Sequence, residues 1–136
     1  MAEFMFKDML DKSGYKAIIS SRATSDWEIG NPVYPLAKKL LEENGIDCSL
    51  KRAEKLTKKD CDEADYLIVM DENNLRDTRA IAGKENYEKV KMLLSYTENA
   101  RGIADPWYTR DFDLTYRDLS EGLKAFEDYL VKEGKL

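Results

Sequence analysis

Residues 66–70, Tyr-Leu-Ile-Val-Met, form an uninterrupted run of aromatic, aliphatic and β-branched side chains. Strands of this composition are buried on both faces and occur mainly in parallel sheets that are covered by helices. Asp71 follows at once and is a favourable N-cap for a helix, which Gly83 would end. The run therefore predicts a strand–helix unit of an α/β fold.

The rest of the chain continues this alternation. Further strands are predicted over 15–21 and 89–96, although periodicity alone also allows a helix at the second. Helices are predicted from Met1 to about Ser13, from Pro35 to just before Gly45, from Thr57 through Ala64, and from Leu114 to Glu133. Loops are predicted over 22–32, 46–57 and 104–112. We expect a single α/β domain over 1–136 with a mostly parallel sheet.

Charge and composition argue against several classes of function. A formal net charge of -5 disfavours a nucleic-acid footprint and binding to an anionic membrane. No apolar run is long enough to span a bilayer. The two cysteines suit a reducing cytosol, so we expect a cytoplasmic protein. The chain has no histidine, which removes the commonest general base and metal ligand.

Asp105 is the first candidate for catalysis. Pro106 disfavours a helix at Asp105, and Trp107 and Tyr108 could surround its carboxyl group with aromatic surface. Lost hydration would raise the pKa of that carboxyl group, as a general acid for a leaving oxygen requires. The same residues also fit a loop in which Asp105 caps a helix and the rings cover the core. The local pattern leaves both interpretations open.

Trp27 is the second candidate, because a tryptophan in so polar a loop either binds a ligand or covers an apolar edge. The cysteines are weaker candidates. Cys61 lies between Asp60 and Asp62, whose charges raise a thiol pKa, and Cys48 has no arginine six residues further on. We expect both thiols to be inert and to pack as small apolar side chains.

Five segments resemble the low-molecular-weight protein tyrosine phosphatases. In order they are MAEFMFKDML, TSDWEIGNP, GID with RAEKLT, YLIVMDENNL and ADPWYTRDFDLTYRD. The resemblance covers nearly the whole chain, and the combination of the tryptophan loop, MDENN and DPWY is specific. It implies a flavodoxin-like, doubly wound parallel sheet with helices on both faces. It also implies hydrolysis of phosphotyrosine through a cysteinyl-phosphate, with no metal and no cofactor.

The resemblance also implies roles for particular residues. Asp105 corresponds to the general acid that protonates the leaving phenol and then activates water. Trp27 corresponds to one wall of the substrate cleft, and Trp107 and Tyr108 to the opposite wall. Ser21 and Asp71 correspond to residues that support the phosphate-binding loop through hydrogen bonds. The implied substrate is a phosphotyrosine protein or another aryl phosphate.

The family's nucleophile lies on a C-x5-R-[ST] loop that ends Cys-Arg-Ser-Pro, and MAEF follows that proline directly. The resemblance therefore leads us to expect that the first strand, the nucleophilic cysteine and the phosphate-binding arginine are missing. We expect this chain to be inactive and a longer form to be a phosphatase. The alternatives are a non-catalytic phosphotyrosine or peptide binding module and, less favoured, an arsenate reductase. Cys48 and Cys61 lie too early in the chain to be the resolving pair of such a reductase.

The chain departs from the family pattern at several positions. Tyr34, Pro35 and Leu36 stand where the family often has Asp-Pro-Arg, and Lys51 stands where it has a supporting histidine. The expected missing strand lies between two others in the family's sheet, so its loss would expose two inner edges. Because exposed edges are templates for pairing with another chain, we expect self-association through them.

Overall fold

The computed structural model describes the backbone of residues 1–136 and every side chain except that of Trp107. The helices are α1 (Ala2–Ser13), α2 (Pro35–Glu43), α3 (Lys58–Glu63), α4 (Glu72–Ala82), α5 (Pro106–Thr109) and α6 (Phe112–Lys132). The strands are β1 (Leu67–Val69) and β2 (Val90–Met92), and short 3-10 helices cover Lys84–Lys89 and Leu93–Tyr96. Helices thus dominate an α/β fold with a small parallel sheet.

The helix ends are set by local signals. α1 ends at Gly14, whose φ of 79° lies in the left-handed region that favours glycine. Thr57 begins α3 with a capping box, in which its side chain accepts from the backbone of Asp60 and the Asp60 side chain accepts from the backbone of Thr57. Asp71 caps α4 by accepting a hydrogen bond from the backbone of Asn74. The sequence-based predictions of these helices are confirmed.

The sheet separates two apolar clusters. β1 and β2 pair in parallel, with Leu67 opposite Val90. Successive side chains of a strand point to opposite faces. Ile68 accordingly packs against the main core, which α1, α6 and residues 93–94 build, whereas Val69 belongs to a smaller core that α3 and α4 complete. Helices therefore cover both faces of this sheet.

α6 provides the largest part of the main core. As its periodicity predicts, Leu119, Leu123, Phe126 and Leu130 are buried along one side. Gly122 lies among them, and a Cβ atom placed there would meet the Leu93 side chain at 2.6 Å. The helix therefore packs closely against the second 3-10 helix. None of the described helices has the length and apolar character needed to cross a membrane.

The strand predicted over 15–21 is absent, and this prediction was wrong. The segment has no regular secondary structure, and no backbone amide from 16 to 22 donates to a backbone carbonyl of the described residues. Ile18 is fully exposed. An apolar, β-branched pattern becomes a strand only when another strand satisfies its backbone groups, and here none does. The first β-type contact after it is an isolated parallel bridge between Ala23 and Lys55.

Other predicted boundaries also need correction. The strand predicted over 89–96 is confined to β2, because a 3-10 helix begins at Leu93 and buries Leu93 and Leu94 against α6. The loop predicted over 104–112 contains α5. α6 begins at Phe112 rather than Leu114, because Asp111 caps it by accepting from the backbone of Leu114. The run at 66–70 yields a strand of only three residues, with one edge unpaired among the described residues.

Candidate active site

A cleft of about 480 Å³ opens beyond the carboxyl end of β1, where parallel sheets commonly bind their ligands. It is bounded by the first turn of α1, the segments 21–23, 31–34 and 103–106, and the first residues of α6. Three predicted site residues line it: Ser21, Asp71 and Asp105. These residues are far apart in the sequence, and the fold brings them together.

Glu3 is a buried carboxylate on one wall of this cleft, with only 5% of its side chain exposed. Its Oε1 accepts from Ser21 Oγ at 2.7 Å and from Lys51 Nζ at 2.9 Å, and its Oε2 accepts from Lys7 Nζ at 2.6 Å. Burial acts to raise the pKa of Glu3, but the hydrogen bonds from Lys7, Ser21 and Lys51 outweigh it and lower the pKa to about 2. Glu3 therefore stays ionised and holds the predicted support residue Ser21.

Sequence reasoning missed this network. Lys51, which stands where the family has a histidine, also donates to the backbone carbonyl of Ser21 at 3.1 Å. Lys51 therefore holds Ser21, at the end of the unpaired segment 16–22, both directly through the Ser21 carbonyl and indirectly through Glu3. The signal for the network was the pair of Glu3 and Lys7, four residues apart on a predicted helix, but nothing local indicated that Ser21 and Lys51 would reach them.

Asp71 lines the cleft while it caps α4. Its Oδ1 accepts from the backbone amide of Asn74 at 2.7 Å, and Asn74 Oδ1 in turn accepts from the backbone amide of Met70 at 3.3 Å. These two bonds fix the turn that leads from β1 into α4. Gly102 approaches Asp71 closely, since a Cβ atom at Gly102 would lie 3.4 Å from the Asp71 Cβ atom. The second predicted support residue is therefore rigidly placed.

Asp105 stands immediately before α5 at the edge of the cleft. Its backbone carbonyl accepts from the amides of Tyr108 and Thr109, at 3.1 and 3.2 Å. The residue as a whole is exposed. The desolvated environment that the sequence suggested is thus not provided by Tyr108, which is itself 83% exposed. The backbone of Asp105 is thus fixed by the first turn of α5.

Two of the aromatic residues predicted to wall the cleft, Trp27 and Tyr108, lie outside its lining in this structure. Trp27 is 88% exposed at the tip of a loop whose ends are pinned by hydrogen bonds from Ala23 to Glu54 and from Gly30 to Ala53. Tyr108 projects from α5 and does not line the cleft either. The side chain of Trp107 lies outside the described residues.

A tyrosine that the sequence marked only as a departure from the family lines the cleft instead. Tyr34 stacks on Phe112, with ring centroids 5.8 Å apart and planes 18° apart. Arg110 Nη1 donates to the Tyr34 hydroxyl at 3.0 Å. Tyr34 and Phe112 both border the cleft. The start of α2 and the turn between α5 and α6 are thereby joined.

Neither cysteine is placed as a nucleophile. Cys48 and Cys61 are buried in the two apolar clusters, and neither lines the cleft. Burial raises the pKa of both thiols, and Asp60 and Asp62 raise that of Cys61 further, as predicted. Residues Glu54 and Leu67 stand six positions after the two cysteines, so the 136 residues contain no Cys-x5-Arg. Among the described side chains, no group of three His, Cys, Asp or Glu could hold a metal.

Comparisons with known proteins agree with this architecture. The family described as "Low molecular weight phosphotyrosine protein phosphatase" matches residues 1–136. The phosphatase YfkJ of Bacillus subtilis is 31% identical over 140 residues, which are 100% of this chain and 90% of that protein. The low molecular weight phosphotyrosine protein phosphatase of Sus scrofa is 32% identical over 133 residues, covering 93% of this chain and 84% of that protein.

The fold agrees as well. The crystal structure of Bacillus subtilis YfkJ superposes with a TM-score of 0.90 at 31% identity, over 97% of this chain and 86% of that one. That of the Streptococcus pyogenes enzyme superposes with a TM-score of 0.80 at 31% identity, over 96% and 81%. An α/β fold with a cleft at the end of a parallel strand defines the class, and the chain belongs to the low-molecular-weight phosphotyrosine protein phosphatase family.

Proposed function

We propose that this chain supplies the cleft and the general acid of a protein tyrosine phosphatase. The nucleophilic cysteine and the phosphate-binding arginine would come from a C-x5-R-S loop present in a longer form of the protein. The observation that carries this proposal is the convergence of Ser21, Asp71 and Asp105 on one cleft at the carboxyl end of β1. Family membership supports phosphotyrosine in a protein as the substrate.

The proposed reaction has two steps. A thiolate attacks phosphorus, the S–P bond forms and the aryl P–O bond breaks, while Asp105 gives its proton to the leaving phenol oxygen. The Asp105 carboxylate then takes a proton from water as the water oxygen attacks phosphorus and the S–P bond breaks. Phosphate and the thiolate are released. The exposed position of Asp105 at the cleft edge suits a group that must meet both a leaving phenol and incoming water.

We further infer that the sheet accepts one more strand, between β1 and the segment 16–22, which would give the flavodoxin-like arrangement. Two observations support this. The described backbone leaves one edge of β1 unpaired, and the amides of 16–22 lack backbone acceptors among the described residues. A parallel strand in that gap would satisfy both edges and would end near Glu3 and Ser21, which border the cleft.

The aromatic side chains keep their proposed roles as substrate contacts. Trp27, Trp107 and Tyr108 would face the phenyl ring of a bound phosphotyrosine once a substrate occupies the cleft. Exposed aromatic residues on anchored loops are suited to this task, because a ligand can recruit their apolar surface. Trp27→Ala is therefore expected to raise KM more than it lowers kcat in an active form.

Two chains test the proposed function. One is the 136-residue chain, and the other carries, ahead of Met1, the residues that precede the corresponding position in Bacillus subtilis YfkJ. Both are assayed with p-nitrophenyl phosphate in excess EDTA. We expect turnover only from the extended chain, because attack on phosphorus needs a thiolate. Turnover by the 136-residue chain that Asp105→Asn abolishes would overturn the proposal.

A leaving-group series tests the acid. In the extended chain, Asp105→Asn is expected to slow hydrolysis of phenyl phosphate by ~10²–10⁴-fold, with a much smaller loss for dinitrophenyl phosphate, whose phenolate leaves without a proton. Asp113→Asn is the matched control, since Asp113 is exposed near the start of α6 and does not line the cleft. Equal losses for both substrates would remove Asp105 from the acid role.

The unpaired edges also support self-association of the 136-residue chain. The open edge of β1 and the backbone groups of 16–22, which lack strand partners among the described residues, could pair with a second copy. Sedimentation velocity is expected to show dimers or larger species that the extended chain does not form. Identical monomeric profiles for the two chains would contradict this part of the proposal.

A further inference from the structure

Three side chains, Tyr34, Arg110 and Phe112, join two parts of the cleft border, and we call them the clasp. Tyr34 lies at the start of α2, and Arg110 and Phe112 lie where α5 passes into α6. The ring of Tyr34 stacks on Phe112, and its hydroxyl accepts from Arg110 Nη1 at 3.0 Å, across 76 residues of sequence. The clasp therefore combines an apolar contact with a charge-assisted hydrogen bond.

The backbone presents both partners of that hydrogen bond in fixed positions. Tyr34 precedes Pro35, and its carbonyl accepts from the amide of Lys38 as the first bond of α2. Arg110 has a φ of 60° and is the only residue other than glycine with a positive φ within the described backbone. Its amide donates to the carbonyl of Pro106 at 2.8 Å. A non-glycine residue occupies this region at an energetic cost, so other contacts must hold it there.

The segment that carries Asp105 depends on such contacts. α5 has only four residues, too few for a helix that is stable by itself. On one side the segment is anchored by Ile103, whose amide donates to Met70, and by Thr115, whose hydroxyl donates to the carbonyl of Ala104. The clasp supplies an anchor at the other end, at Arg110. Between these anchors, Asp105 and Tyr108 are exposed.

We propose that Tyr34 and Arg110 are positioning residues that hold α5, and with it Asp105, against the 31–34 border of the cleft. The assignment of Asp105 as the acid rests on the proposed function. The positioning itself does not, because it concerns the mobility of 104–111 in the chain as it exists.

Amide hydrogen exchange tests the clasp without any activity. Tyr34→Phe removes the hydroxyl group and keeps the stacked ring. Arg110→Asn removes the guanidinium and places a residue that tolerates a positive φ, so the backbone cost does not increase. In both variants the backbone amides at positions 108, 109 and 110 are expected to exchange about fivefold faster or more, because their local opening becomes easier. Exchange within α6 is expected to stay unchanged.

Tyr87→Phe is the matched control. Tyr87 is also an exposed tyrosine whose hydroxyl accepts from an arginine, Arg79, at 2.9 Å, but it lies outside the cleft lining. It is expected to leave exchange over 104–111 as in the wild type. Unchanged exchange in both Tyr34→Phe and Arg110→Asn would overturn the clasp. The clasp would also be overturned if Tyr87→Phe speeds exchange of these amides as much as Tyr34→Phe does.

The extended chain separates the clasp from the proposed function. If both hold, Tyr34→Phe lowers kcat for phenyl phosphate severalfold, with little change for dinitrophenyl phosphate and in KM, as expected when the acid is misplaced. If the exchange result holds but Asp105→Asn shows no leaving-group dependence, the acid assignment fails and the clasp stands. If Asp105→Asn shows that dependence and the exchange rates do not change, the clasp fails and the acid assignment stands.

Discussion

The packing around α6 and the packing along the free edge of β1 differ in what they require from the rest of the chain. α6 satisfies its own backbone hydrogen bonds and buries its apolar side against Leu93 and Leu94, which are fully buried. Segment 16–22 and the free edge of β1 leave backbone groups without strand partners among the described residues. A helix needs a neighbour only for its side chains, whereas a strand needs one for its backbone as well. The helical side therefore finds its partners within the described residues, whereas segment 16–22 and one edge of β1 have no strand partner among them.

Leu93→Ala is expected to have the largest effect on stability. Leu93 is fully buried beneath Gly122, and deleting its branched end leaves a cavity that the close helix contact cannot fill. Such substitutions cost ~2–5 kcal/mol. Urea unfolding followed by circular dichroism measures the loss. A cost below ~1 kcal/mol would show that the packing around α6 is looser than the structure indicates.

Gly122→Ala tests the same contact by adding volume. A Cβ atom would lie 2.6 Å from Leu93 Cγ, so side chains must shift, and overpacking costs ~1–3 kcal/mol. Alanine regains ~1 kcal/mol of helix propensity over glycine, which leaves a net destabilisation of up to ~2 kcal/mol. Arg117→Ala, at an exposed position of the same helix, is the control. A stabilised Gly122→Ala variant would mean that the helix can move away from Leu93.

The pH dependence of stability tests Glu3, which binds Ser21 at the end of segment 16–22. Its pKa is about 2 in the folded protein and 4.5 in the unfolded reference, so the unfolded state binds the proton more readily. The stabilisation that ionised Glu3 contributes is therefore complete above about pH 4.5 and is lost as the pH falls towards 2. Between these limits, urea midpoints should fall more steeply for the wild type than for Glu3→Gln, which has no such proton to bind. Parallel pH profiles would show that the network around Glu3 adds nothing to stability.

Ile18→Lys is expected to have the smallest effect on unfolding. The side chain is fully exposed, so the free energy of unfolding of the monomer should change by no more than ~0.5 kcal/mol. A lysine in this unpaired segment should discourage edge pairing with another chain, so the associated fraction in sedimentation should fall. A loss of stability above ~1 kcal/mol would mean that Ile18 is buried, and the contrast between the two regions would fail.

The sequence predicted those elements that are encoded locally. α1, α3 and α4 were predicted because their caps and terminators stand within a few residues of their ends. The strand at 15–21 was wrongly predicted because its pattern is local but its pairing is not. α5 was missed because one turn carries no periodicity, and its form depends on bonds to the Asp105 carbonyl.

The site residues likewise fall into those that the sequence indicated and those that only the tertiary fold reveals. The resemblance pointed to Ser21, Asp71 and Asp105, and the fold brings these three to one cleft. No local pattern indicated that Glu3 would bind Ser21 and Lys51, or that Arg110 would reach Tyr34, because these contacts join segments that only the tertiary fold places together. The exposure of Trp27 and Tyr108 was equally unpredictable, since composition does not say which loop residues turn towards solvent.

The most direct test of the contrast between the two regions is amide exchange over 16–22, measured at dilution in the 136-residue chain and in the extended chain. We expect these amides to exchange at nearly the rate of an unfolded peptide in the first chain, while the amides of α6 are protected. In the extended chain the added strand should pair with them and slow their exchange by ~100-fold or more. Protection of 16–22 in the 136-residue chain equal to that of α6, with no gain on extension, would contradict the account.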